Sequence, residues 1–278
     1  MRRLLAVLLV LMPTGAFAWG REGHDAVWYA AQRMLTPAAV LQLRGLMQAP
    51  GPPLDPSWPD DFRRTPQGRN TGIWHFVDIG IDQPAFDRER DCRHVISGAD
   101  ALPGGDCAVG AVEAMAARLG NRTLSPTQRR TALVFLIHFV ADLHQPLHAA
   151  EHHDRGGNDV AVHGLDGCRN LHAVWDDCVV RPLGDSGAAI GRGLLAKARA
   201  MGGASRAAMA AGTPGDWATE THGEGVKIYR ALWPQAEPPT PATLTLAASY
   251  PAENKAVAEQ QLLRASVRLA VLLNALLR

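Results

Sequence analysis

The stretch Thr131-Ala-Leu-Val-Phe-Leu-Ile-His-Phe-Val-Ala-Asp142 is apolar almost all round, and Ser125-Pro126 ahead of it reads as a helix cap followed by a first-turn proline. A helix without a polar face belongs in a core. His138 and Asp142 then project from the same face one turn apart. A lone histidine on such a helix is more often a satisfied core group than a ligand. A carboxylate beside it in an apolar segment would cost several kcal/mol unpaired, and a divalent cation offsets that cost best.

Working outward, Pro146 in His144-Gln-Pro-Leu-His148 should kink or end this helix and let His148 serve a neighbouring site. His172 and Asp176 repeat the H-x3-D spacing. Two further candidates lie upstream, Asp60 in Ser57-Trp-Pro-Asp-Asp and His75 in Ile73-Trp-His-Phe-Val-Asp. Taken singly these are common exposed residue types.

The rest of the chain reads as mostly helical. His24 to Met47 suggests two short helices broken at Thr36-Pro37, and Cys107 to Leu119 has helical character. Asp55 to Thr71, rich in proline, glycine and charge, reads as a loop. Gly184 to Gly215 is alanine- and glycine-rich and suits close helical packing; Trp233 to Pro241 is a proline-rich connector. Ala252 to Leu277 predicts a packed terminal helix, since no charge-free run there reaches membrane-spanning length. With no internal repeat and no set of alternating strands, the predicted fold class is all-α, a single mainly helical domain.

Arg2 and Arg3, the short apolar run Leu4 to Met12, and Ala16-Phe17-Ala18 have the layout of a secretory signal peptide. An uncleaved anchor is the alternative. Cleavage after Ala18 would leave one domain, residues 19–278, exported to the periplasm or the cell exterior. It would also leave a free amine on Trp19, a possible metal ligand, with His24 five residues on. Residues 19–278 hold 26 basic and 27 acidic side chains. That balance argues against a broad basic stripe gripping duplex DNA by counterion release. Four cysteines in an exported chain favour two disulfides. Local pairs, Cys92 with Cys107 and Cys168 with Cys178, are preferred among the three connectivities that the sequence allows.

Trp19 with His24, Trp58 to Asp60, Trp74-His75-Phe76, His138-x3-Asp142-x5-His148, Gly156-Gly157-Asn158 and Asn170-Leu171-His172-x3-Asp176 span most of residues 19–278. In this set the chain resembles the trinuclear-zinc, single-strand-specific nucleases and 3′-nucleotidases of the mung bean nuclease type, within the zinc-dependent phospholipase C/nuclease superfamily. The resemblance implies a mainly helical domain with three Zn2+ in a cleft. Asp60, His75, His138 and Asp142 would hold one zinc, and the Trp19 amine and carbonyl, His24 and Asp142 a second. His148, His172 and Asp176 would hold the third. Asp60 is also assigned a catalytic role; Pro59 departs from the small residue usual there, and Asp61 competes with Asp60 for the position.

Three zinc ions against three carboxylates would leave about three net positive charges, a local attractor for phosphate. The implied reaction is in-line hydrolysis of phosphodiesters to 5′-phosphorylated products. Phe76 would stack on a base, Asp78 contact its edge and Arg63 contact phosphate, whereas without the resemblance Phe76 reads as core packing. Stacking requires an unpaired base, so the expected partners are single-stranded RNA and DNA and 3′-nucleotides, acted on by a monomer with no membrane span.

Two alternatives are a zinc-dependent phospholipase C and a non-catalytic secreted zinc-binding protein. The first usually carries glutamate at the position of Asp176. The second usually closes its sites with four protein ligands, whereas His148, His172 and Asp176 supply three. His94, His144, His152, His153, His163 and His222 are read as solvated or supporting, as are Trp217 and Glu220. Asn121-Arg122-Thr123 fits a glycosylation acceptor.

Overall fold

A computed structural model describes residues 19–98, 101–234 and 243–278. The expected signal segment, residues 1–18, lies outside the described residues, as does most of the connector after Trp233. The helices, in chain order, are α1 (Arg21–Gln32), α2 (Pro37–Gln48), α3 (Trp58–Phe62), α4 (Arg88–Asp91), α5 (Ala108–Gly120), α6 (Pro126–Asp142), α7 (Leu171–Ala173), α8 (Gly187–Ala200), α9 (Gly203–Ala210), α10 (Pro214–Leu232) and α11 (Tyr250–Leu276). Three-residue strands β1 (Ala161–His163) and β2 (Thr243–Thr245) pair in parallel, Ala161 opposite Thr243. The architecture is mainly helical, as the sequence predicts.

α6 is the axis of the molecule. Ser125 and Gln128 form a reciprocal capping box at its start. From Ala132 to Asp142 every residue is buried, and α1, α2, α5 and α11 pack against the helix. Each fully buried leucine, isoleucine or phenylalanine there is worth roughly 1.5–3 kcal/mol of transfer free energy. That supports a helix able to carry His138 and Asp142 inside the protein. α1 and α8 approach closely because α8 is small on its inner face. A Cβ on Gly191 would lie 2.9 Å from the Ala26 carbonyl oxygen.

Thr36 caps α2, as its position before Pro37 suggests. Asp55 to Thr71 is not wholly a loop: Trp58–Phe62 is a helical turn and a 3-10 turn runs over Arg69–His75. The rings of Trp58 and Phe62 stack at 4.7 Å and both meet the edge of Phe135 on α6, which fixes the turn despite its prolines and charges. α6 stops at Asp142, ahead of Pro146, and the chain re-enters a 3-10 turn at Pro146–His148. His172 and Asp176 sit where α7 passes into a π turn, Val174–Cys178, closed by the Val179 N–H on the Val174 carbonyl at 3.0 Å. The disulfides are Cys92–Cys107 and Cys168–Cys178, the local pairs. Among the described residues no helix is long and apolar enough to cross a membrane.

Candidate metal centre

Three groups of histidine and aspartate that can hold a metal ion converge among the described residues, His24 with Asp60 and His138, His75 with His138 and Asp142, and His148 with His172 and Asp176, and all their members are buried. Around one point lie Asp60 Oδ1, His75 Nδ1, His138 Nε2 and Asp142 Oδ2. His138 Nε2 is 2.9 Å from His75 Nδ1 and 3.0 Å from Asp142 Oδ2. His75 Nδ1 is 3.0 Å from Asp142 Oδ2, and Asp60 Oδ1 is 3.8 and 3.9 Å from the two imidazole nitrogens. Ligands 2.0–2.1 Å from a tetrahedral ion stand about 3.3 Å apart, so the set brackets the separation that an ion would impose. His24 Nε2 lies 3.3 Å from Asp142 Oδ1, so the two oxygens of Asp142 face different partners. A third convergence joins His148 Nε2 and His172 Nε2 at 3.1 Å, with Asp176 oxygens 3.8 and 3.5 Å away.

The outer sides of the rings determine what their inner sides can do. His138 Nδ1 donates to the Pro56 carbonyl, His148 Nδ1 to the His75 carbonyl and His172 Nδ1 to the Gly156 carbonyl, each at 2.7 Å. Three backbone oxygens thereby hold the proton on Nδ1 and leave a lone pair on each Nε2 facing the cluster. Burial pushes the His75 and His172 pKa values down to about 4, and that of His148 well below its usual range. These three rings stay neutral, the form that ligates, whereas at His138 burial is outweighed by the Asp142 and Asp60 carboxylates, which push its pKa up. Burial pushes Asp176 well above the usual carboxylate range, with only Gln145 opposing through a hydrogen bond. Asp142 Oδ1 and Asp176 Oδ2 are buried without a hydrogen bond among the described residues. Uncompensated acceptors of this kind are costly, and a cation would satisfy them. The donor set fits divalent ions.

Asp60 is buried in the cluster while Asp61 faces solvent and pairs with Arg64. Trp19 is fully buried beside the start of α1, and the next residue, Gly20, donates its N–H to the Asp176 carbonyl at 2.8 Å. In the full chain the Trp19 nitrogen belongs to a peptide bond. Only cleavage before it would make it an amine.

A cleft of about 460 Å3 opens over these groups, lined by Arg63, His75, Phe76, Asp78, His148 and His172 and walled by the loop from Glu151 to Asn158. The three candidate substrate residues, Arg63, Phe76 and Asp78, all line it. Phe76 is half-buried. Arg63 lines the cleft, and its Nη2 lies 3.0 Å from Asp60 Oδ1. Asp78 is exposed on its outer side, yet the cleft walls desolvate its carboxyl and, with Glu151 and Asp91 nearby, push its pKa up to about 6.

The S1/P1 Nuclease family model matches residues 19–278. The chain belongs to the S1/P1 nuclease family. It is 32% identical to Endonuclease 3 of Arabidopsis thaliana over 190 residues, 65% of this chain and 61% of that protein. It is 33% identical to Nuclease P1 of Penicillium citrinum over 172 residues, 59% of each. Nuclease S1 of Aspergillus oryzae is 26% identical over 166 residues, 58% of this chain and 54% of that one. The aligned stretch thus spans about three fifths of the length of these curated relatives.

In this S1/P1 nuclease chain several supporting residues escape a reading by spacing. Gln145 Nε2 donates to Asp176 Oδ1 at 2.6 Å while Gln145 Oε1 accepts from the Leu147 N–H. Glu151 accepts the N–H groups of Asp154, Arg155 and Gly156, and Asp154 accepts from the Gly157 N–H and the Tyr229 hydroxyl. These bonds shape the loop whose Gly156 carbonyl orients His172. A Cβ on Gly156 would lie 2.4 Å from the Leu147 carbonyl oxygen at a φ of +60°, so only glycine fits. His144 is fully buried between the Val140 carbonyl and Arg268, and Glu220 pairs with Arg264 and Arg268. His94, His153 and His163 are exposed.

Proposed function

We propose that the chain, cut after Ala18 and exported, is a monomeric zinc-dependent endonuclease. It hydrolyses phosphodiester bonds of single-stranded RNA and DNA to 5′-phosphorylated products and removes phosphate from 3′-nucleotides. The observation that carries this reading is the set of buried imidazoles whose Nδ1 protons are held by Pro56, His75 and Gly156 carbonyls, placed beneath a cleft walled by Phe76. Asp60, His75, His138 and Asp142 would hold one zinc, the Trp19 amine and carbonyl with His24 and Asp142 a second, and His148, His172 and Asp176 the third. Bound zinc supplies hydroxide near neutral pH and offsets the charge that accumulates during phosphoryl transfer.

The protein's own groups select and orient the substrate. Phe76 offers a face to an unpaired base, which a base inside a duplex cannot reach. Asp78, with a pKa of about 6, accepts from a base N–H at neutral pH and carries a proton below that value. Arg63 places a guanidinium beside Asp60, where it orients a phosphate oxygen towards the metal ligands. His148 and His172 stay unprotonated at neutral pH and so add no competing proton donor.

The test is a substrate panel of single-stranded DNA, duplex DNA, a 3′-nucleotide and phosphatidylcholine, each with and without chelator. Release of 5′-nucleotides from the single strand only in chelator-free samples is the expected result. Lipid cleavage alone overturns the reading.

A further inference from the structure

Among the described residues lining the cleft, the permanent cations are Arg63 and Arg155. Arg63 sits beside Asp60 in the first cluster. Arg155 precedes Gly156, whose carbonyl holds His172 in the third. The two arginines therefore mark different metal groups along one cleft, and the acidic lining residues, Asp78 and Glu151, would repel a strand that Arg155 did not attract.

The backbone beneath Arg155 is fixed in an uncommon conformation. His153 and Arg155 have φ of +58° and +55°, a region that non-glycine residues seldom occupy and that surrounding contacts must hold. The Arg155 N–H donates to Glu151 Oε1, and its carbonyl accepts from the Asn158 side-chain amide at 2.8 Å. The guanidinium is held only by an exposed pair: its partner is Asp159, at 2.9 Å from Nε and 2.5 Å from Nη2, with the side chains 76% and 50% exposed. An ion pair in that much water contributes little net stability, so a phosphodiester that presents two oxygens to the same fork can replace Asp159.

We propose that Arg155 is a second phosphate subsite, which binds the phosphodiester of a nucleotide flanking the one cut and so makes the enzyme prefer strands to mononucleotides. Asp159 occupies the guanidinium until a strand arrives. The inference rests on the nuclease reading above and adds a residue that sets substrate length.

The experiment compares wild-type protein with R155A, R155K and D159N, loaded with zinc. It measures kcat/KM on hexathymidylate and on a 3′-mononucleotide, and anisotropy binding of a fluorescent phosphorothioate hexamer across a salt series. R155A should lower the hexamer-to-mononucleotide ratio of kcat/KM about tenfold. It should also flatten the slope of log affinity against log salt by about 0.7, one phosphate contact on a single strand. R155K should restore the slope but only part of the ratio, because a point charge lacks the fork. D159N should tighten hexamer binding about threefold.

An unchanged ratio and slope in R155A overturn the subsite and leave the nuclease reading standing. Equal weakening in R155A and D159N also overturns it, since a merely structural ion pair would behave that way. A hexamer that binds with an Arg155-dependent slope and is never cut upholds the subsite and overturns the nuclease reading.

Discussion

The side-chain amide of Gln145 donates to Oδ1 of Asp176 across 2.6 Å, joining the turn after α6 to the π turn that carries Asp176. The other end of that amide accepts from the Leu147 N–H, so Gln145 cannot rotate without losing a buried bond. It fixes which oxygen of Asp176 is left to face His172. Removing groups that orient a ligand commonly costs 10–100-fold in metal affinity. Q145L should lower affinity at the third site by about that factor while the other two sites keep theirs, read by competitive chelator titration with metal analysis. Equal weakening of every site would refute the role.

Phe76 lines the cleft as the proposed stacking face, and base stacking on an aromatic ring is worth about 1–3 kcal/mol per base. F76A should raise KM for single-stranded DNA by roughly 5- to 100-fold, with a smaller change in kcat. If kcat falls and KM holds, Phe76 serves the architecture and not the base.

The Cys92–Cys107 disulfide lies directly before Ala108, whose N–H donates to the Phe76 carbonyl at 2.8 Å. Closing a loop of 15 residues stabilises a protein by about 3 kcal/mol through the unfolded chain. C92S/C107S should lower Tm by about 6–12 °C and raise KM alongside, because the anchor of Phe76 loosens. Calorimetry and initial rates give both readouts.

His144 predicts a pH dependence of stability. Burial, and then the neighbouring Arg268, push its pKa down from 6.5 to about 3. Between those values the unfolded chain binds a proton that the folded protein excludes. Stability therefore falls as pH drops below 6.5, by about 1.4 kcal/mol per pH unit for this one group. H144Q keeps a donor for Val140 and an acceptor for Arg268 but has no such proton. Its urea-unfolding free energy should decline less steeply than that of wild type between pH 6 and pH 4. Parallel curves would show that His144 does not titrate on unfolding.

What the sequence reveals follows from which signals are local. α6 is legible because a cap, a first-turn proline and an uninterrupted apolar run agree, and His138 and Asp142 follow from their four-residue spacing on it. Gln145 is not legible, because its partner lies 31 residues away on a turn whose π geometry no spacing announces. Glu151 and Asp154 look like solvent-facing acids in a glycine loop until the fold brings four N–H groups and Tyr229 onto them. Trp58 and Phe62 are misleading in the same way. Proline and charge argue for a loop, and only Phe135 on α6 makes the aromatic pair a helical turn.

In the proposed reading Trp19 would connect export to metal binding. Its side chain is fully buried, Gly20 is tied to the Asp176 carbonyl, and the His24 N–H reaches back to the Gly20 carbonyl at 3.3 Å. The first residues of α1 are thus held between the first and third ligand groups, and a Cβ on Gly23 would lie 2.8 Å from the Trp19 Cβ. Little room exists there for a displaced chain end. If cleavage before Trp19 supplies an amine ligand, one residue added ahead of it converts that amine to an amide, which does not coordinate at neutral pH. Protein beginning at Trp19 should carry three zinc ions by elemental analysis, and protein with a single added glycine should carry two. Its melting temperature should fall accordingly, because a bound ion stabilises only the folded state. Three ions in both proteins would remove the Trp19 nitrogen from the ligand set while leaving the His148, His172 and Asp176 group untouched.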